Sequence, residues 1–141
     1  MGGAYNLGSA VGADYDILVV DDDDDVLSLM VEALRLKGYS VLAAPDASAA
    51  LELLTDGSRA RLYLVDLCMP GVDGLGFLSQ ATQLTRSPDA QVLICTGSPQ
   101  ARQPPDGMPV LLKPFDLVEL HDRVRALIGE APRGARRGAA S

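Results

Sequence analysis

With 141 residues, a formal net charge of -7 and 48% hydrophobic residues, the chain has material for one small core and little more. The acidic balance argues against a general nucleic-acid binder, which needs basic surface for phosphate contacts, and the two cysteines, Cys68 and Cys95, make neither a disulfide framework nor a spaced metal cluster. No apolar run is long enough to cross a bilayer and the N-terminus lacks the pattern of a secretory signal, so the expected setting is cytoplasmic, away from membranes.

Residues 1–13 are rich in Gly and Ala without a clear period and read as a flexible arm. Ile17–Val20 is a short β-branched run that predicts a strand, and five aspartates, Asp21 to Asp25, follow it directly. A helix starts near Asp24, with Val26, Met30, Ala33, Leu34 and Lys37 at helical spacing, and Gly38 stops it. Val41–Ala43 is a second strand, and Asp46 to Leu54 a helix with Ala47, Ala50, Leu51 and Leu54 on one face. Leu62–Val65 is a third strand ending on Asp66. The cluster Pro70-Gly71-Val72-Asp73-Gly74 reads as a turn, and Leu75, Leu78, Ala81 and Thr82 as the face of a short helix.

Gln91–Cys95 is the fourth strand, followed by Thr96-Gly97 and a segment punctuated by Pro99, Pro104, Pro105 and Pro109. Gln103 precedes a proline and is biased towards extended backbone, so any helix there is one turn or slightly more. Val110–Leu112 is the fifth strand and ends at Lys113-Pro114. The last helix begins near Asp116 and sets Leu117, Leu120, Val124, Leu127 and Ile128 on one face. From residue 130 to 141 the composition turns to Gly, Ala, Pro and Arg and reads as a disordered basic tail, which leaves one domain over 14–129.

Apolar strands separated by helical patterns predict a doubly wound parallel sheet whose strand ends share one edge. That edge gathers carboxylates at Asp21, Asp22 and Asp66, a hydroxyl at Thr96 and an amine at Lys113, a set suited to a divalent cation and an oxyanion. Asp23, Asp24 and Asp25 read first as a solvated helix cap. An EF-hand register over Asp21, Asp23, Asp25 and Glu32 fails because Val26 stands where the sharp turn demands glycine and a strand precedes the loop.

The order Asp21-Asp22, then Asp66 with Met69-Pro70-Gly71-Val72-Asp73-Gly74 behind it, then Thr96-Gly97, then Lys113-Pro114-Phe115 resembles the receiver domain of two-component response regulators, and the compact Val110 to Phe115 ending is similar to receivers of hybrid histidine kinases. The resemblance spans roughly Asp16 to Ile128. It implies a flavodoxin-like fold with strand order 2-1-3-4-5, here with the fourth helix truncated or absent. It also implies a phosphoacceptor rather than a conventional enzyme: Asp66 takes a phosphoryl group from a histidine kinase or histidine phosphotransfer protein and passes a signal to a further protein. In such a domain Mg²⁺ is held by Asp22, Asp66 and the backbone carbonyl of Cys68, with Asp21 acting through ordered water. Lys113 faces the phosphoryl oxygens across a cis bond to Pro114, and Thr96 gives one of them a hydroxyl donor. The aromatic residue that often stands three positions before the lysine is replaced by Val110. A haloacid-dehalogenase-like phosphohydrolase also shares a strand-end Asp-x-Asp, Thr and Lys, but leaves the Asp66 motif unexplained. A pseudo-receiver that binds partners without being phosphorylated is the remaining alternative.

Overall fold

The computed structural model describes residues 13–67, 69, 74–85, 90–97 and 107–131. Five strands, β1 (Asp14–Val20), β2 (Val41–Ala44), β3 (Arg59–Val65), β4 (Gln91–Thr96) and β5 (Val110–Leu112), form one parallel sheet in the order β2-β1-β3-β4-β5. Four helices occur among the described residues: α1 (Asp24–Leu36), α2 (Ala47–Thr55), α3 (Gly74–Thr85) and α4 (Leu117–Ile128). The expected truncation of a helix between β4 and β5 falls on residues 98–106, outside the described residues.

Alternation along the strands decides which helix covers which face. Ile17, Val19, Leu62, Leu64, Leu93 and Leu111 point to the layer that α1 and α4 cover with Leu27, Met30, Val31, Leu34, Leu120 and Val124. Leu18, Val20, Leu42, Tyr63 and Val65 point to the opposite layer, filled by Ala47, Ala50 and Leu54 of α2 and by Phe77 and Ala81 of α3. A sheet apolar on both faces reads as continuous hydrophobic runs, which is why the strands stand out in the sequence.

The helices start where carboxylates meet unpaired N–H groups. Asp23 accepts from the N–H groups of Asp25 and Val26, Asp46 from that of Ala49, and Asp116 from that of Glu119.

Several details differ from the sequence reading. α1 buries Leu27 and Val31 along with Met30 and Leu34, whereas Ala33 is half-buried and Lys37 is exposed at the C-cap. α3 turns Phe77 inward with Ala81 and leaves Leu75 and Leu78 half-buried and Thr82 exposed, because the wide ring fills the space edge-on to Tyr63. In α4 only Leu117 departs from the expected face, 42% exposed, while Leu120 and Val124 are buried and Leu127 and Ile128 pack half-buried against the core. β1 and β3 begin three residues earlier than their apolar runs, paired at Asp14↔Arg59 and Tyr15↔Ala60. Buried Asp16 is matched there by the Ser40 N–H at 2.9 Å and by Arg61 at 3.5 Å.

Both ends of the described domain are tied to the sheet's far edge. Ala13 accepts a hydrogen bond from the Arg59 N–H at 3.1 Å. Beyond α4, the Tyr39 hydroxyl donates to the Gly129 carbonyl at 2.6 Å, Arg61 donates to that of Ile128 at 2.8 Å, and Ala131 packs on the core. The remainder of the expected arm and tail, 1–12 and 132–141, lies outside the described residues.

Candidate functional site

Three charged residues occupy equivalent places in the fold. Asp21, Asp66 and Lys113 each follow the last residue of a strand, and each still donates its backbone N–H across the ladder: Asp21 to Ala44, Asp66 to Val20 and Lys113 to Thr96, at 3.2, 3.0 and 2.9 Å. Their side chains are therefore delivered to one edge by the sheet itself, with little backbone freedom left. Order 2-1-3-4-5 places the carboxyl ends of β1 and β3 at the point where the winding reverses, the crevice where α/β sheets bind ligands.

Carboxylate oxygens of Asp21, Asp22 and Asp66 all lie within 4.8 Å of one another. Asp21 is fully buried and Asp66 nearly so, while Asp22 faces solvent. The Lys113 ammonium donates to Asp21 Oδ2 at 2.6 Å and to Asp66 Oδ2 at 3.4 Å, bridging the two buried acids. The other Asp21 oxygen, Oδ1, accepts the Asp23 N–H at 2.9 Å. Partial burial works against the ammonium, but the hydrogen bond to Asp21 and the charges of Asp21 and Asp66 outweigh it and raise its pKa above the ordinary lysine value. Lys113 is therefore a cation throughout the neutral range.

Thr96 closes β4 fully buried, beside Lys113 through the last rung of the β4–β5 ladder. The Lys113–Pro114 bond is cis. Cys68, whose carbonyl the resemblance counts among the metal ligands, lies outside the described residues. Cys95 sits inside β4, and burial pushes its thiol up to about 12, which suits a packing role and not a reactive one. His121 lies apart from this edge, its ring edge-on to Tyr39 at 6.2 Å.

The arrangement suits a small set of chemistries. Three hard oxygen donors with one open, solvent-facing side could hold a divalent cation, and a fixed ammonium beside a strand-end carboxylate favours an incoming oxyanion. The sequence brought out all five residues of this edge: Asp21, Asp22, Asp66, Thr96 and Lys113. It missed which carboxylate the lysine takes, and it read Gly74 as part of a turn where the structure makes it the first residue of α3, packed against Asp66.

A parallel sheet in the order 2-1-3-4-5, with carboxylates and a lysine gathered at its switch point, defines a class of doubly wound α/β domains with a charged strand-end site. Within that class the chain belongs to the response regulator receiver domain family, whose model matches residues 17–125. It is 40% identical over 121 residues to the transcriptional regulatory protein PrrA of Mycobacterium tuberculosis, covering 79% of this chain and 49% of PrrA. It is 31% identical over 118 residues to the response regulator receiver protein CpdR of Brucella abortus, covering 79% of this chain and 95% of CpdR. The crystal structure of the receiver domain from the hybrid histidine kinase CckA superposes with a TM-score of 0.69 at 32% identity, covering 80% of this chain and 98% of that one. The chain spans about half the length of the transcriptional regulators it matches. Among the described residues no helix is long and apolar enough to cross a membrane.

Proposed function

We propose that this domain, over 14–129, is a phosphoryl acceptor in a two-component or phosphorelay pathway and that Asp66 is the residue phosphorylated. The observation that carries this reading is the Lys113 ammonium set between two buried strand-end carboxylates, 2.6 Å from Asp21 and 3.4 Å from Asp66, with Asp22 open to solvent beside them. The donor is a phosphohistidine on a kinase or phosphotransfer protein. An Asp66 oxygen attacks phosphorus, the P–O bond forms as the P–N bond breaks, and the electron pair of that bond returns to the departing imidazole.

The residues of the edge divide the work of neutralising charge. Lys113, already protonated, swings from its carboxylate partners towards the phosphoryl oxygens, and Thr96 offers its hydroxyl to one of them. Asp22 and Asp66 would hold Mg²⁺, joined by the carbonyl of Cys68, which lies outside the described residues; Asp21 would add its charge to the site and keeps Lys113 oriented through its 2.6 Å contact. The metal suits this all-oxygen set, and when bound it offsets the repulsion between an anionic nucleophile and an anionic phosphoryl group. Slow loss of the acyl phosphate to water makes the domain a timed switch and not a turnover enzyme. Many turnovers of a small phosphate ester would instead favour the phosphohydrolase alternative.

Incubation with acetyl phosphate and Mg²⁺ should add one phosphoryl mass to the wild-type chain and none to Asp66→Asn. A wild type that never gains it would make this a pseudo-receiver.

The signal-dependent movement should be confined. Val110 pairs with Ile94 in the β4–β5 ladder, and its β-branched side chain has few alternative rotamers. With no aromatic ring there to follow Thr96 inward, beryllofluoride with Mg²⁺ should shift backbone amides mainly at 68–74 and 96–100. Large shifts through Val110–Leu112 and α4 would contradict this.

A further inference from the structure

We propose that Gly74 is a positioning residue for the Asp66 carboxylate, an inference that rests on the phosphoacceptor reading above. Gly74 is buried at the first position of α3, and its N–H donates to the Leu67 carbonyl at 3.2 Å. A Cβ placed on it would stand 2.4 Å from the Asp66 carbonyl oxygen, 3.0 Å from Leu67 Cα and 3.0 Å from Val65 Cγ1. Its φ lies outside the left-handed region, so any residue could adopt its backbone conformation. What the position demands is space.

Two of the three obstacles are backbone and cannot rotate away. The peptide they belong to is the one that carries the nucleophile. On its other side the Asp66 N–H is already fixed to the Val20 carbonyl at 3.0 Å. Asp66 is thus clamped between β1 and the start of α3, with its carboxylate held 3.4 Å from the Lys113 ammonium. An added methyl must push either α3 off the sheet or the Asp66 peptide along its strand, and the second movement carries the carboxylate with it. Gly97, at the end of β4, is different: a Cβ there meets only Lys113 Cβ at 3.7 Å, an ordinary contact.

The test compares Gly74→Ala with Phe77→Leu, which weakens the same helix where it packs on Tyr63. Phosphoryl uptake from acetyl phosphate, corrected for folded fraction by circular dichroism, should fall at least about tenfold in Gly74→Ala, since a misplacement of about 1 Å can cost about a hundredfold. Phe77→Leu should lose stability and keep its uptake. Equal uptake per folded molecule in the two variants would overturn the proposal.

Val65→Ala removes the one obstacle that is a side chain and leaves the two backbone ones, so the double variant Val65→Ala/Gly74→Ala, with part of the clash relieved, decides the matter where the single variant does not fold. Its uptake should remain depressed relative to Val65→Ala alone. Full recovery, or failure of the double variant to fold, would show that the glycine serves α3 packing and not the carboxylate. A separate arm uses no phosphodonor: the Asp66 amide resonance should move in Gly74→Ala and stay nearly fixed in Phe77→Leu. Because that arm involves no transfer, it separates an error about Gly74 from an error about phosphorylation. An unmoved Asp66 amide would overturn the positioning role even with the wild type phosphorylated normally.

Discussion

Lys113→Ala should destabilise the metal-free domain by about 3 kcal/mol, the lower end of the cost of breaking a buried ion pair from one side. Asp21 is fully buried and accepts a hydrogen bond from the Lys113 ammonium at 2.6 Å. Without that cation Asp21 and Asp66 stand close together as two buried like charges. Mg²⁺ should restore much of the loss, because a ligand that binds only the folded state stabilises it by mass action. Chemical denaturation of both proteins with and without Mg²⁺ checks this, and a Lys113→Ala domain as stable as wild type without metal would contradict the assignment.

The same pair makes a pH prediction. The folded Lys113 pKa lies above its ordinary value of 10.5, so the pair's contribution is whole below that value and is lost as pH rises through the higher folded pKa. Wild type should therefore lose stability in the alkaline range along a step that Lys113→Met lacks.

The second large effect concerns the cation. Asp22→Ala should weaken Mg²⁺ binding at least about tenfold, the smaller end of the penalty for disturbing a metal site. Asp22 is the solvent-facing member of the three-carboxylate group, and its removal takes away a hard oxygen donor on the open side. Asp24→Ala should change affinity little, because Asp24 belongs to the first turn of α1 and lies outside that group. Isothermal titration distinguishes the two. Equal losses would mean that the acidic run attracts cations diffusely.

The parts of this fold most visible in the sequence are those that bury apolar surface on both sides. Ile17–Val20, Leu62–Val65 and Gln91–Cys95 announce their strands because the sheet is covered by helices on each face, and each run stops at a polar group that reaches the edge. The polar beginnings of β1 and β3 are hidden for the opposite reason. Asp14, Asp16, Arg59 and Arg61 are held by ladder pairing and by specific partners, and neither leaves a periodic trace. Helix faces were legible to within a residue or two, because half-buried positions such as Val26 and Ala33 flank the buried stripe of α1. The candidate site was legible as a set of residue types at strand ends. Its pairing was not: whether Lys113 takes Asp21 or Asp66, and that Gly74 presses on the Asp66 peptide, depend on distances between elements far apart in the chain.

One particular carboxylate, that of Asp66, becomes the acyl phosphate in this reading. Borohydride reduces an acyl phosphate to the corresponding alcohol, converting a phosphorylated aspartate to homoserine and leaving free aspartates untouched. After incubation with acetyl phosphate and Mg²⁺, reduction and peptide mass mapping should place homoserine at position 66 and nowhere else. Homoserine within Asp21 to Asp25, or none in a folded wild-type chain, would contradict the account.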